Sequence, residues 1–339
     1  MKKLIRSIIL LLIILTISCD SPTEIIEDTK PGRRDYVWSV DTLDAPGTAY
    51  YRMWGSSPSN LWMISSSNWD KSIAQYNGEK WSLYGEPGII NPYSIYGFSS
   101  SNMYIGMERG QIWKYDGVNW NKSAELTKDG HIDIVFDNIW GESSNNLFAF
   151  GAYPDVNGLA NNSVIANYKN NNWTMLNTDG LKGIVERLYK NKTDGKLYLQ
   201  VVKFSNTHDT TFIYDFSDGK YSKLYTSVWD SYWANISLIN SEVYFVLRSE
   251  IARRINNQFQ TVIKLENTNF YHHIWGRLSK DIFLEMKDGL AHYNGSNVEY
   301  LFNFNKPRTH IYGAAIFDTE VFFLVSEPGL NLIYRGKLE

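Results

Sequence analysis

The body of the chain alternates short apolar runs with polar turns, and one such pattern recurs along its length. The runs are rich in aromatic and β-branched residues, and Gly, Asn, Asp or Ser separates them. None of the repeated segments keeps apolar residues at i, i+3 and i+4 over ten or more positions, as an amphipathic helix requires. The pattern therefore predicts a chain built from short β-strands.

The clearest repeat unit spans residues 95–122. Its aromatic–glycine pair at Tyr96 is expected to open an innermost strand, and a Ser/Asn turn leads into a second strand. A tight turn at Asp116 then separates a third strand from an outer strand that carries Trp120. Similar units cover residues 53–83, 139–176, 274–301 and 311–336, with two weaker copies between the third and fourth.

One position before the second turn can be followed through all seven copies. It is occupied by Tyr76, Tyr115, Tyr168, Tyr214, Arg254, Tyr293 and Tyr334. A repeat of about 40–45 residues with four short strands is typical of propeller blades. The sequence thus predicts an all-β fold, a seven-bladed β-propeller of four-stranded antiparallel blades.

The two ends of this repeated region complement each other. The last unit stops near Lys337 without an outer strand, whereas Tyr36–Asp41 precedes the first unit and has no unit of its own. Trp38 is followed by serine, as Trp81 is in the first outer strand. We predict that this N-terminal strand completes the seventh blade of a domain over residues 36–339, because closure removes unpaired sheet edges.

The first nineteen residues have the pattern of an export signal. A basic start is followed by the apolar run Ile8–Leu15, which is too short to span a bilayer, and then by Cys19. A small residue before the only cysteine resembles the bacterial lipoprotein signal, and the resemblance implies that Cys19 is lipidated. We expect a signal peptide over residues 1–18 and a lipidated cysteine with a flexible tether over 19–35. An ordinary cleaved signal with an incidental cysteine is the alternative.

Lipidation at Cys19 would make the membrane a partner of the protein. The expected location is the bacterial cell envelope, with the protein anchored at the outer membrane or the cell surface. The polar stretch after Cys19 lacks strand periodicity and is typical of a linker.

The repeated motif also resembles a known group of propellers. I-x-G-x-S-x-x-N, followed by I-x-x-Y-D-G-x-x-W, is similar to bacterial propellers related to the photosystem II assembly factor family and to Asp-box repeat proteins. Asp116, Gly117 and Trp120 carry this resemblance, although the Asp box separates its Asp from its Gly. The resemblance covers the whole domain and implies a blade structure, without implying a reaction.

Composition and motifs exclude several classes of function. A net charge of −3 gives no basic field for nucleic acid, and one cysteine allows neither a disulfide framework nor a cysteine-based zinc site. The six histidines lack ligand spacing, and the chain has no nucleophile elbow, phosphate loop or dinucleotide fingerprint. We therefore predict a monomer with no cofactor, no metal and no nucleic-acid partner.

The expected topology places a candidate binding surface on one side of the ring. Connections after the second and fourth strands share a face, and the unequal segments Gly85–Asn91, Ala124–Asp133, Gly151–Ser163 and Ser205–Thr211 all fall there. Loops of unequal length on a rigid scaffold are where binding specificity is built. The candidate ligand-contacting residues are Tyr153, Asp155, Asn157, His131, His208 and Asp209.

Two classes of function remain open. The first is a lipid-anchored, non-enzymatic binding or scaffold module for an envelope protein or a glycan. The second is a glycan-processing hydrolase or lyase, sialidase-like or related, with its site at the central channel. Clustered arginines or two close carboxylates at the axis would favour the enzyme, and a lining of Ser, Asn and apolar groups would favour binding. The arginines considered are Arg52, Arg109, Arg187, Arg248, Arg277 and Arg308.

Overall fold

The computed structural model describes residues 31–228 and 234–339, which form 28 strands in seven four-stranded sheets arranged in a ring. This confirms the predicted seven-bladed, all-β fold. One turn of 3₁₀ helix, Trp69–Lys71, is the helical element among these residues, and no helix within them is long and apolar enough to cross a membrane. The predicted signal peptide and Cys19 lie outside the described residues.

The strands follow one another around the ring, four to a blade, with each blade starting at its innermost strand. Blade one contains β2 (Arg52–Ser57), β3 (Asn60–Ile64), β4 (Ile73–Tyr76) and β5 (Trp81–Tyr84). Blade two contains β6 (Pro92–Ser99), β7 (Asn102–Met107), β8 (Gln111–Tyr115) and β9 (Trp120–Glu125). Blade three contains β10 (Val135–Ser143), β11 (Asn146–Tyr153), β12 (Asn162–Lys169) and β13 (Asn172–Met175). Blade four contains β14 (Ile184–Lys190), β15 (Leu197–Lys203), β16 (Thr210–Ser217) and β17 (Lys220–Val228).

The remaining blades repeat this order until the ring closes. Blade five contains β18 (Asn235–Ile239), β19 (Glu242–Leu247), β20 (Glu250–Ile255) and β21 (Gln258–Lys264). Blade six contains β22 (Phe270–Leu278), β23 (Asp281–Met286), β24 (Gly289–Tyr293) and β25 (Val298–Asn303). Blade seven contains β26 (His310–Ile316), β27 (Glu320–Glu327), β28 (Leu330–Leu338) and, as its outer strand, β1 (Tyr36–Leu43).

Ring closure by the N-terminal strand is confirmed. β1 pairs with β28 along its whole length, from Tyr36 opposite Leu338 to Leu43 opposite Asn331. Trp38 stands opposite Gly336, and its ring packs so closely over this glycine that a Cβ there would lie within about 3 Å of it. In earlier blades a tyrosine of the third strand stands opposite the tryptophan of the outer strand, as Tyr76 does opposite Trp81. In blade seven a glycine takes the place of that tyrosine.

The recurring Tyr, Asn or Asp, and Gly residues are accounted for by the tight turns. In blade two the Asp116 carboxylate accepts hydrogen bonds from the backbone N–H groups of Val118 and Asn119, at 2.9 and 2.8 Å. Tyr115 donates its hydroxyl to the carbonyl of Gly117, whose φ of +102° suits glycine. Blades one and six repeat the arrangement with asparagine, so these residues are structural.

Two copies align differently from the sequence prediction. Phe216, and not Tyr214, pairs with Leu197 and Tyr221 in the way that Tyr76 pairs with Leu61 and Trp81. In blade seven the equivalent residue is Gly336, two positions after Tyr334. Residues two apart on a strand share a face, so a shift of two preserves the inward and outward pattern that guided the alignment.

The aromatic–glycine pairs also lie later in their strands than expected. Tyr96 is the fifth residue of β6, because the strand already begins at Pro92. In blade seven, Gly313 pairs with Leu324 across the sheet and Tyr312 sits in a bulge, so this copy is out of phase with the others. The inner strands therefore start with residues that the repeat definition did not include.

The hydrophobic core is divided among the interfaces between neighbouring blades. Between blades one and two, for example, Trp62, Ile105 and Trp120 belong to one buried cluster. Each blade is thus stabilised by the two beside it, and an incomplete blade exposes the core on both sides.

We expect the N-terminal strand to be required for stability. Deleting residues 20–42 removes β1 and uncovers the Trp38 contact, and burial of one Trp contributes on the order of 2–4 kcal/mol to the free energy of unfolding. The melting temperature should fall sharply, whereas deletion of residues 20–30 should leave it unchanged. Equal melting temperatures for the two deletions would show that closure through β1 is dispensable.

Candidate functional site

The two faces of the ring differ as the topology predicted. Connections after the first and third strands are short turns, and we call this side the turn face. Connections after the second and fourth strands include 85–91, 126–134, 154–161 and 204–209, and we call this side the loop face. Three of the predicted segments are shorter than expected, because strand pairing continues into them. Tyr153, for instance, still pairs with Asn162.

His131 and Tyr153 are brought together on the loop face. Their rings stack with centroids 4.5 Å apart and planes 26° from parallel. Lys128, from the same connection as His131, donates to the carbonyl of Ser163 at 3.4 Å and to the hydroxyl of Thr178. These contacts tie the 126–134 connection to blade three.

Asp155 has a role inside its own loop. Its carboxylate accepts from the backbone N–H of Asn157 at 2.8 Å and of Leu159 at 3.1 Å, and from the side-chain amide of Asn161 at 3.0 Å. The buried Asn161 also exchanges two hydrogen bonds of 3.0 Å with the backbone of Phe204. The 154–161 loop is therefore ordered and joined to the 204–209 loop.

His208 and Asp209 lie in the 204–209 loop, in blade four. Asp209 accepts from the backbone N–H of Ser205 at 3.0 Å, and the hydroxyl of Ser205 contacts the backbone of His208. Both residues thus shape a local turn. Asn161 joins this loop to the 154–161 loop, through its bonds to Phe204 and Asp155. Ligand contact by the six candidate residues stays a prediction.

Exposed apolar side chains mark one sector of the loop face. Trp69, Ile90, Ile132 and Val156 are all more than half exposed and come from four connections of blades one to three. We call these four residues the apolar loop patch. On the turn face, among the described residues, Val118 is the large apolar side chain that is comparably exposed. Exposed apolar side chains that recur in neighbouring connections favour an interaction surface, whereas isolated ones need no explanation.

The same sector is acidic. The described loop-face connections of blades one to three contain eight acidic and four basic residues, whereas those of blades four to seven contain three and four. The eight are Asp44, Asp70, Glu86, Glu108, Asp129, Asp133, Asp155 and Asp179. The four are Lys71, Arg109, Lys128 and Lys182.

A cavity of about 700 Å³ runs along the axis, lined by the inner strands of all seven blades. Towards the loop face its wall carries the polar residues Arg52, Glu186, Arg187, Asn235, His273 and His310, near the starts of the inner strands. Towards the turn face it carries the aromatic residues Trp54, Tyr96, Trp140, Tyr189 and Trp275. Charge is thus concentrated at the mouth that opens among the loops.

Several of these polar groups join neighbouring blades. The amide of Asn138 donates to the carbonyl of Glu186 at 2.7 Å, and Nε of Arg187 donates to the side-chain oxygen of Asn235 at 2.8 Å. Asn235 in turn donates to the carbonyl of His272 at 3.1 Å. These bonds run from blade three to blade six and satisfy buried backbone groups, so part of the polar lining is structural.

Three ionisable side chains, Arg52, Asp137 and Glu186, interact near the loop-face mouth. Burial and the carboxylate of Glu186 raise the pKa of Asp137 to about 8, against the opposing effect of Arg52. A carboxylate oxygen of Asp137 also lies against the backbone of Gly151, where a Cβ would collide with it. Asp137 is consequently a neutral acid at pH 7, packed behind the channel wall.

A second group contains a histidine held by a buried carboxylate. Nδ1 of His273 lies 2.7 Å from Oε2 of Glu285, and the other oxygen of Glu285 accepts from the backbone N–H of Ile311 at 2.9 Å. The ring of Tyr271 stacks near that of His310, at 4.9 Å between centroids. Glu285 orients His273, which leaves Nε2 of the imidazole as the atom that can meet a channel ligand.

The arginines considered from sequence have different positions. Arg52 and Arg187 line the channel, whereas Arg277 is engaged by Asp281 and by the carbonyl of Phe317 at the blade six–seven boundary. Arg52 and Arg187 were already considered from the sequence, whereas Glu186 and Asn235 were not, because the blades contribute different polar residues to the channel and no repeated motif marks them. Among the described residues, no three His, Cys, Asp or Glu side chains are placed to hold a metal ion.

Comparison with known proteins supports the fold and leaves the family open. No family model matches the sequence, and no curated protein sequence matches it. The structure is similar to YCF48 bound to a D1 peptide, with a TM-score of 0.60 and 14% identity over 90% of this chain and 99% of that one. It is also similar to a catalytically inactive virginiamycin B lyase from Staphylococcus aureus with quinupristin, with a TM-score of 0.59 and 13% identity over 90% and 100% of the chains. At these identities the similarity demonstrates a shared propeller fold.

We expect Asp137 to make stability depend on pH. Its pKa is higher in the folded than in the unfolded state, so between about pH 4 and 8 the folded chain keeps a proton that the unfolded chain has lost, and the free energy of unfolding falls as pH rises. Asp137→Asn should flatten this decline and gain about 1–2 kcal/mol over the wild type at pH 8. Denaturant unfolding from pH 4 to 8 tests this. Asp133→Asn, an exposed acid, is the control, and a wild-type profile for Asp137→Asn would contradict the assignment.

Proposed function

We propose that the protein is a non-enzymatic binding module that holds a protein partner on the loop face of blades one to three. The observation that carries this proposal is the apolar loop patch, Trp69, Ile90, Ile132 and Val156, exposed on adjacent blades. The turn face, built from the same repeats, has a single comparably exposed apolar side chain among its described residues. An apolar patch with a polar rim is the usual composition of a protein–protein interface.

The charge of this sector selects the kind of partner. Eight acidic against four basic residues surround the patch, so a segment with Lys or Arg beside large apolar residues is its complement. A neutral glycan would gain little from this charge. The proposed occupant is therefore a basic, apolar protein segment, and not a glycan.

The loops are already ordered for binding. Asp155 holds the 154–161 loop, Asn161 joins it to the next loop, and Lys128 ties down the connection that carries Ile132. Preorganised loops lose less conformational entropy when a partner binds. The YCF48 complex with a D1 peptide supports the proposal in general, since it shows that a propeller of similar fold can bind a peptide.

The proposed location is the cell envelope, with the protein held to a membrane by a lipid on Cys19. The support is the export signal, the single cysteine and the polar linker of the sequence. The partner would then be another envelope protein.

Selection from a random peptide library displayed on phage tests the binding proposal. Peptides selected by the wild-type chain should be net positive and contain large apolar residues. The double variant Ile132→Ser, Val156→Ser should bind the selected peptides at least about tenfold more weakly, because two apolar contacts contribute about 1.5 kcal/mol or more to binding. Higher salt should weaken binding further.

Val118→Ser on the turn face is the matched control and should bind like the wild type. Selected peptides without a positive charge would contradict the charge argument. Unchanged binding by the double variant, together with weaker binding by the Val118 variant, would place the site on the turn face and contradict the proposal.

A second candidate function is favoured by the His273–Glu285 pair. An oriented imidazole in a channel with Arg52 and Arg187 has the groups that β-elimination from a uronic acid requires. Nε2 of His273 would remove the C5 proton next to the carboxylate, and an arginine would neutralise that carboxylate. The C4–O bond would break, the leaving oxygen would take a proton from the imidazolium or from water, and an unsaturated sugar would remain. This is the lyase form of the enzyme alternative.

Ultraviolet absorbance of the unsaturated product tests the lyase candidate on alginate, pectate and heparin. If the candidate is right, the wild-type chain produces the signal and His273→Gln loses at least about a hundredfold in rate. Tyr96→Phe, which changes the channel wall in blade two and leaves His273, Arg52 and Arg187 in place, is the control. Absence of turnover on all three polymers would remove the support for an enzyme of this class.

A further inference from the structure

The chain enters the propeller on the turn face and is fastened there before the first strand begins. The backbone N–H of Gly32 lies 3.0 Å from the carbonyl of Lys280 and 3.1 Å from that of Asn294, both in turn-face connections of blade six. A Cβ on Gly32 would collide with the Lys280 carbonyl, so the close approach requires glycine. The contacts therefore begin four residues before Tyr36, inside the segment that the sequence assigned to the tether.

Arg34 strengthens this attachment. One guanidinium nitrogen donates to the carbonyls of His292 and Asn297 at 2.7 and 2.6 Å, and another pairs with Glu299 at 3.0 Å. Its Nε donates to Nδ1 of His292 at 3.3 Å. A single side chain thus joins the incoming chain to the turn and the outer strand of blade six. We call Gly32 and Arg34 the entry clamp.

The entry clamp connects to a buried network. His292 is fully buried and its Nε2 lies 2.7 Å from a carboxylate oxygen of Asp281. Asp281 also pairs with Arg277, which contacts the hydroxyl of Tyr36, the first residue of β1. The clamp, blade six and the closing strand therefore form one rigid attachment point.

We propose that the entry clamp fixes the orientation of the anchored domain, with the turn face towards the membrane and the loop face away from it. This rests on the proposed lipid at Cys19. Twelve residues separate Cys19 from Gly32, and a linker of the kind predicted from sequence spans about 45 Å at full extension and about 20 Å on average. The eight residues of β1 make the domain about 26 Å thick. Turning the loop face to the membrane would require the tether to run along the whole side of the domain.

Surface charge does not supply this orientation. The described connections of the turn face contain five acidic residues and four basic ones, so the face has no net attraction to anionic lipid. The acidic residues are Glu79, Asp116, Asp194, Asp218 and Asp318, and the basic ones are Lys80, Lys192, Lys196 and Lys280. The point at which the tether leaves the domain is the determinant.

The orientation narrows the class of partner. A loop face directed away from the anchoring membrane is accessible to soluble proteins and to segments that project from an opposing surface. It is not accessible to a segment lying flat on the same bilayer. The partner of the apolar loop patch would thus approach from the side opposite the lipid.

Energy transfer to a dye on lipid headgroups tests the orientation. The lipoprotein is purified from envelope membranes, reconstituted in phosphatidylcholine vesicles, and labelled through Glu79→Cys on the turn face or Val156→Cys on the loop face. Transfer efficiency should be at least about twofold higher from position 79, because the two faces are a strand length apart. Equal efficiencies, or a higher value at position 156, would overturn the proposal.

Clamp variants show whether Gly32 and Arg34 set the orientation. Gly32→Ala and Arg34→Ala should reduce the difference between the two labels by at least half, whereas Arg109→Ala, an exposed arginine of the loop face, should not. If both clamp variants keep the wild-type difference in transfer efficiency between positions 79 and 156, the clamp is not its cause. If either variant fails to fold, the comparison of the two labels in the chain with Gly32 and Arg34 intact still tests the orientation.

Failure of the anchor gives a different result. An acylated Cys19 has no free thiol, so the parent chain should take up no maleimide and should float with the vesicles, and Cys19→Ser should not float. A parent chain that takes up maleimide and stays in solution would contradict the proposed lipid anchor. In that case a maleimide lipid can be coupled to Cys19, and the two labels can be compared as before.

Discussion

The pairing of β1 with β28 is the interaction on which the rest of the structure depends. It joins the first described strand to the last and so completes blade seven, whose inner strand packs against that of blade one to close the ring. Only a closed ring brings all seven inner strands around one axis and creates the channel. The same pairing fixes the direction in which the chain enters. Because β1 starts beside Leu338, Gly32 and Arg34 meet blade six on the turn face.

The order of strands within each blade gives the turn face and the loop face different kinds of connection. Connections within a hairpin at the turn face are short and depend on Asx turns such as that of Asp116, which suit few residue types. Connections at the loop face are released from this requirement and differ in length and sequence. The apolar loop patch, the excess of acidic residues and the charged mouth of the channel all fall on this less constrained side. The features on which we base the proposed binding and the lyase candidate therefore lie on one face, while the repeated turns occupy the other.

The sequence predicted the fold well because each repeat carries the same turn and packing residues. The blade count and the four strands per blade followed from the repeat, and the closing role of Trp38 followed from the missing outer strand and the Trp–Ser match to Trp81. The alignment of the weaker copies failed by two residues at Phe216 and Gly336, since strand periodicity cannot separate positions two apart.

The site was harder to predict than the fold. Asp155 was identified as a ligand contact from its loop, yet its carboxylate is surrounded by donors of that loop, which spacing does not reveal. His273 and Glu285 are brought together across a strand pair, and Arg52 and Glu186 from different blades. Such groups are contributed one per blade and have no shared motif. Their convergence appears only when the ring closes.

The polar lining of the channel has two competing explanations, and the hydrogen bonds divide it between them. Asn138, Arg187 and Asn235 link successive blades, so their presence follows from the need to satisfy buried backbone groups at each interface. Glu285 does the same for Ile311, but it also orients His273, and no interface requires an imidazole there. On the loop face, Ile132 and Val156 are more than half exposed and belong to none of the buried clusters of the described residues. Exposure of apolar side chains in neighbouring loops is the stronger argument for a partner, and it is the reason that we propose binding ahead of catalysis.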